Sequence, residues 1–77
     1  MSRDYRILAK EDGSEVYFQV YEVYYDKDGI PNDYTTNPTT VGGESLEAIK
    51  WTLYRIKEAT KKPILWWGDK FPNEYKN

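Results

Sequence analysis

The chain has 77 residues, with 11 basic and 13 acidic side chains, and it contains neither Cys nor His. That length allows one domain with a modest core. Without thiolate or imidazole groups, the usual zinc and copper sites and the Ser-His and Cys-His nucleophile pairs are excluded. The net charge of -2 lacks the basic footprint of a phosphate binder. We therefore expect a protein that is not an enzyme and uses no cofactor and no metal.

The distribution of apolar residues also bears on localisation. The longest purely apolar run is residues 64–67, far shorter than a signal-peptide core or a membrane span. We therefore expect a cytoplasmic protein that makes no membrane contact.

The first element predicted is a β-hairpin. Residues 5–10 alternate in the manner of a half-buried strand, and Asp12-Gly13 favours a type I′ turn in which Glu11 pairs with Ser14. This register predicts a single core face made of three opposed pairs: Ala9 with Val16, Ile7 with Phe18, and Tyr5 with Val20.

Residues 15–26 form the longest β-branched and aromatic run and predict a long central strand. Its other face carries a row of Tyr17, Tyr21 and Tyr25, with Val23 between the last two. This row is either covered by the C-terminal tail or available to a partner.

A third strand is predicted at residues 30–36, after a type I turn closed by a glycine bulge at Gly29. Pro31 cannot donate to a ladder, so we expect this strand on an edge, with Tyr34 as its main packing residue.

Glu22 falls on the predicted core face and needs an explanation. Either a bulge near Tyr21 turns it outward, or it lies at the rim with Arg3 or Tyr34 as a polar partner. A catalytic role is the weaker alternative, because no second acid or base is expected beside it.

A long helix is predicted after residues 37–43, with Ser45 as its N-cap and Pro63 ending it. Trp51 lies on the solvent side of the helical wheel, where it either contacts a partner or packs locally against Arg55. The apolar stripe predicted to cover the sheet consists of Leu46, Ile49, Leu53, Ile56 and Thr60.

Residues 64–67 predict a short fourth strand, and residues 68–77 an irregular tail with aromatic anchors at Phe71 and Tyr75. The sequence therefore predicts one α+β domain over residues 1–77, with irregular ends at 1–4 and 68–77. Its expected architecture is antiparallel β-β-β-α-β, with the helix on one face of a three- to four-stranded sheet.

The segment that leads into the helix carries a family resemblance, through Pro38, Gly42, Gly43, Glu44, Ser45, Leu46, Glu47 and Ala48. With the order of elements over residues 5–67, it resembles in a loose way the HicB-type antitoxin domains. Other phrases resemble small uncharacterised bacterial and phage proteins, namely residues 21–29, 34–35, 43–45 and 62–65. These resemblances imply a bacterial or phage setting.

The surplus of aromatic residues carries the functional hypothesis. We expect a binding or inhibitory module that contacts a protein partner, or a second copy, through Tyr17, Tyr21, Val23, Tyr25 and Trp51. The alternative is single-stranded nucleic acid stacked on the tyrosines, which the acidic balance disfavours.

Overall fold

The computed structural model describes residues 2–76 and confirms an α+β fold with one helix beside a four-stranded sheet. The elements in chain order are β1 (Ser2–Asp12), β2 (Glu15–Tyr25), β3 (Pro31–Tyr34), α1 (Leu46–Ala59), β4 (Leu65–Trp66) and a 3₁₀ helix (Gly68–Lys70). The strand order is β3-β2-β1-β4. The sheet is mixed rather than purely antiparallel, because β4 runs parallel to β1. The α1 connection between β3 and β4 makes that parallel arrangement possible.

The predicted irregular ends need correction. Residues 2–4 belong to β1, and residues 68–70 form the 3₁₀ helix. Positions 1 and 77 lie outside the described residues.

The first hairpin forms with a different register from the one predicted. Asp12 pairs with Glu15, so the two-residue loop is Gly13-Ser14. Gly13 takes the positive φ of 64° while Ser14 does not, as in a type II′ turn. The predicted type I′ turn would have required positive φ at Asp12 as well. Ala9 consequently lies opposite Phe18, two residues further along β2 than predicted.

The turn between β2 and β3 follows its prediction closely. The Asp26 side chain accepts hydrogen bonds from the backbone N–H groups of Asp28 and Ile30, at 2.8 and 3.0 Å. Gly29 has a φ of 77° and donates to the Asp26 carbonyl. β3 lies on the edge of the sheet, as its Pro31 predicted.

α1 begins where it was predicted to begin. The Ser45 hydroxyl accepts a hydrogen bond from the Ala48 backbone N–H at 3.1 Å, which satisfies one of the free donors of the first turn. The helix ends at Ala59, with further turns before Pro63.

Among residues 2–76, neither the length nor the hydropathy of any helix suits a membrane span.

The predicted apolar stripe of α1 is only partly correct. Ile49 and Ile56 are half-buried, but Leu46 and Leu53 are exposed, and Ala59 is the fully buried residue. The helix is therefore rotated away from its most hydrophobic side. Arg55 and Lys62 both bind Asp4, and these contacts fix which side of the helix and its C-terminal extension lies toward β1.

The two faces of the sheet are covered unequally. The main core cluster joins Leu8, Tyr21, Val23 and Leu65, on the face opposite to the one predicted. Phe18 on the predicted core face is 47% exposed, and Val16 is exposed as well. The reason is that α1 packs mainly on β1 and leaves uncovered the hairpin end of β2, which carries Val16 and Phe18.

The C-terminal segment wraps around the β4 edge. The backbone N–H of Trp66 donates to the Asn73 carbonyl, and that of Tyr75 donates to the Ile64 carbonyl. Tyr75 then meets Phe18 on the helix side of the sheet, in an edge contact of 5.4 Å between ring centroids. This wrapping protects an edge strand whose backbone groups would otherwise be open.

Candidate interaction surface

The tyrosine row predicted as an interaction surface is buried at its centre and open at Tyr17. Tyr21 is 2% exposed and Val23 is fully buried, whereas Tyr25 is half-buried and Tyr17 is exposed. The expected accessibility of Tyr21 is therefore wrong. Of the two alternatives for the tail, the covered one holds at the centre of the row, where the tail contributes Phe71, and not at Tyr17.

Three aromatic side chains provide that cover. Tyr34 makes an edge contact with Tyr21 at 5.7 Å between ring centroids and packs on Phe71 at 4.7 Å. The ring centroids of Trp67 and Tyr34 are 6.4 Å apart. The Tyr34 hydroxyl also accepts a hydrogen bond from the Gly68 backbone N–H. Burial raises the pKa of Tyr21 above its ordinary value of 10.0, because the phenolate would lose its hydration there.

Arg6 is a buried cation beside this cluster that the sequence did not reveal. Its guanidinium donates to the Tyr25 hydroxyl at 2.9 Å and to the Pro63 carbonyl at 2.7 Å. These bonds tie β1 to β2 and to the segment after α1. The available signal was Leu8, an apolar residue that shares the face of Arg6 and marks that face as buried.

The polar site predicted around Glu22 forms at the rim. Arg3 Nε lies 3.8 Å from Glu22 Oε1, and both side chains are in contact with water. The ladder between β1 and β2 runs through Glu22 without a bulge, so the rim alternative holds. Tyr34 takes no part in this pair, because it packs in the tail cluster.

Asp4 anchors α1 to β1. Its carboxylate binds Lys62 Nζ at 2.6 Å and Arg55 Nη2 at 3.4 Å, and it accepts the Tyr5 backbone N–H. Partial burial alone would raise the pKa of Asp4, but these donors outweigh it and hold the pKa below 3.8.

Trp51 lies on the outer side of α1, where its indole stacks on Tyr54 rather than on Arg55. The two ring centroids are 5.6 Å apart with an interplanar angle of 19°. Arg55 instead lies over the Tyr5 ring at 4.6 Å, because its guanidinium is drawn toward Asp4 on β1. Trp51 and Tyr54 are 60% and 54% exposed.

The exposed apolar side chains of α1 form what we call the outer helix surface: Leu46, Trp51, Leu53 and Tyr54. Charged side chains of both signs accompany them. Glu47 pairs with Lys50 at 3.7 Å, and Glu58 pairs with Lys61 at 2.9 Å. Tyr54 was not among the predicted site residues, although its spacing of three residues from Trp51 is the spacing of neighbours on a helix.

Carboxylates in residues 2–76 do not gather into a group of three or more that could hold a metal ion. Comparisons with known protein families, with curated proteins and with solved structures find no match. The resemblance to HicB-type domains and to small phage proteins stays a prediction. The candidate site therefore depends on geometry alone.

Proposed function

We propose that this protein is a small non-enzymatic binding module that contacts a protein partner through the outer helix surface. The observation that carries the proposal is the stacked pair of Trp51 and Tyr54, both more than half exposed. Neither ring packs into the core of the domain, so both are free to bury their faces against another molecule.

Physical chemistry favours this use of the pair. Tyr and Trp supply large contact areas with few rotatable bonds, and they are over-represented among residues that dominate binding energy. Because the rings already stack on a helix, little side-chain freedom remains to be lost on binding. Lys50 and Glu47 beside them would form part of the polar rim that surrounds such anchors.

The state of the charged groups supports a non-enzymatic role. The carboxylates of Asp4, Glu11, Glu22 and Glu58 are each engaged with a cation, either Lys or Arg. A general acid or base needs a pKa shifted toward neutral pH, and the lowered pKa of Asp4 moves away from it.

Single-stranded nucleic acid is less well supported than a protein partner. Stacking would need accessible tyrosines on the sheet, and Tyr21 at the centre of the row is covered by Tyr34. The net charge of -2 also opposes phosphate binding.

The test is paired affinity capture from cells that express the protein. Three baits are compared: the wild type, Trp51→Ala/Tyr54→Ala, and Tyr17→Ala as a matched exposed aromatic on the sheet. Each bait is first shown to be folded by circular dichroism. We expect the double variant to lose about 2 kcal/mol of binding energy or more, roughly 30-fold in affinity, while Tyr17→Ala retains the partner.

A partner that binds the double variant but not Tyr17→Ala would refute the proposal. It would indicate that the binding site lies on the sheet. Capture that disappears after nuclease treatment, with a steep dependence on salt, would instead indicate nucleic acid.

A further inference from the structure

We infer that the partner of the outer helix surface is a second copy of this chain, with the two α1 helices packed antiparallel. This inference rests on the proposed function and names its partner. It comes from the order of charges along α1 and from the position of the aromatic pair among them.

Charge is distributed unevenly along the exposed side of α1. Glu47 lies in its first turn with Glu44 just before the helix, and Lys57 lies in its last turn with Lys61 just after it, all of them exposed. A parallel pair of helices would place like charges against each other. An antiparallel pair places the acidic end of each helix against the basic end of the other, and it also opposes the two helix dipoles.

A two-fold axis at Tyr54 makes this complementarity specific. Residues equally spaced on either side of Tyr54 then lie at the same height along the helix pair, so Glu47 meets Lys61 and Lys50 lies across the pair from Glu58. Both cross-pairs are of opposite sign. Within one chain the same four side chains already form the pairs Glu47–Lys50 and Glu58–Lys61, so a second copy would extend them into two four-charge networks.

The aromatic residues fall at the centre of this arrangement. Tyr54 meets its own copy on the axis, and Trp51 lies on one flank of Tyr54, so the two indoles fall on the same side of the helix pair. Aromatic side chains in the middle with charged pairs around them are the usual anatomy of a specific interface.

The size of the contact limits its strength. The 14 residues of α1 extend only about 21 Å, so a helix pair buries less area than a standard protein interface. We expect a dimer with a dissociation constant of roughly 1 to 100 µM, which dissociates readily on dilution.

The experiment is sedimentation equilibrium of the purified chain from about 1 µM to 1 mM. An acidic variant, Lys50→Glu/Lys61→Glu, and a basic variant, Glu47→Lys/Glu58→Lys, each place like charges across the axis. We expect each alone to dimerise at least tenfold more weakly than the wild type, and their equimolar mixture to regain dimerisation. The control Lys27→Glu/Lys76→Glu makes the same change in net charge away from α1 and should dimerise as the wild type does.

Orientation is tested separately by cross-linking, which is direct because the chain contains no Cys. In the antiparallel pair, Glu47→Cys mixed with Lys61→Cys should form a disulfide-linked heterodimer when oxidised glutathione is added as the oxidant. Glu47→Cys alone should cross-link poorly, because its two copies would be about 21 Å apart.

Three results would overturn the inference: a wild type that stays monomeric throughout, a dimer indifferent to both charge variants, or preferential cross-linking of Glu47→Cys to itself. The proposed function fails separately. A monomeric wild type that captures another protein through Trp51 and Tyr54 would refute only the dimer inference. A dimer or a captured protein that persists in Trp51→Ala/Tyr54→Ala would refute the proposal that the outer helix surface is the binding site.

Discussion

Replacing Leu8 by alanine should cost about twice as much stability as replacing Phe18. Leu8 is fully buried in the cluster with Tyr21, Val23 and Leu65. Its loss removes three carbon atoms from the core at about 0.8 kcal/mol each and leaves a cavity, for a total of about 3 to 4 kcal/mol.

Phe18 gives a smaller figure although its ring is larger. With 47% of the residue exposed, only about half of the 2 to 3 kcal/mol for a fully buried Phe is at stake. The edge contact with Tyr75 adds about 0.5 kcal/mol. The expected cost of Phe18→Ala is therefore about 1.5 to 2 kcal/mol.

Urea denaturation followed by far-ultraviolet circular dichroism measures both costs. With an m-value of about 1 kcal/mol per molar, the midpoints should fall by about 3 M for Leu8→Ala and about 1.5 M for Phe18→Ala. Because a domain of this size has roughly 4 to 12 kcal/mol of stability in total, Leu8→Ala can unfold outright, and that outcome beside a folded Phe18→Ala gives the same ranking. A larger cost for Phe18→Ala than for Leu8→Ala would mean that the helix side, not the tail side, holds the main core.

Deleting residues 71–77 should lower the urea midpoint and expose the Tyr21 cluster to a hydrophobic dye, because Phe71 packs against that cluster. An unchanged midpoint would contradict this. Asp4 has a lowered pKa in the folded state, so its contribution is present above its unfolded pKa near 3.8 and is lost as the pH falls through the folded value. Asp4→Asn should therefore flatten the loss of stability as the pH falls below about 4, measured by urea midpoints at each pH. Ser45→Ala should cost about 1 kcal/mol through the lost helix cap, and an unaltered midpoint would mean the cap is not formed in solution.

Features governed by local chemistry were predictable from the sequence. The Asp26 turn, the Ser45 cap and the edge position of β3 each depend on hydrogen bonds or backbone angles within a few residues. The first hairpin was found for the same reason, but its register was not. Both Asp12-Gly13 and Gly13-Ser14 are acceptable two-residue turns. The backbone angles distinguish them, because Gly13 has a positive φ and Asp12 does not.

The buried face could not be predicted by the same means. The predicted and observed registers differ by two residues, so both put the same side chains on the same face. The choice between faces depends on Tyr34 and Phe71, which are distant in sequence and meet only after the tail wraps around β4. Leu8, and the tyrosine row itself, were as compatible with a buried face as Ile7 and Phe18 were.

The helix leaves more apolar surface than its packing requires, and that excess connects the fold to the proposed function. α1 packs mainly on β1, a contact for which Ala59 and the half-buried Ile49 and Ile56 suffice. An amphipathic helix with a single task would carry polar residues over the rest of its circumference. The exposed stacked pair of Trp51 and Tyr54 does not stabilise this contact, and exposed rings of this size favour association. The proposed binding through α1 would give a role to the helix residues that the domain itself does not need.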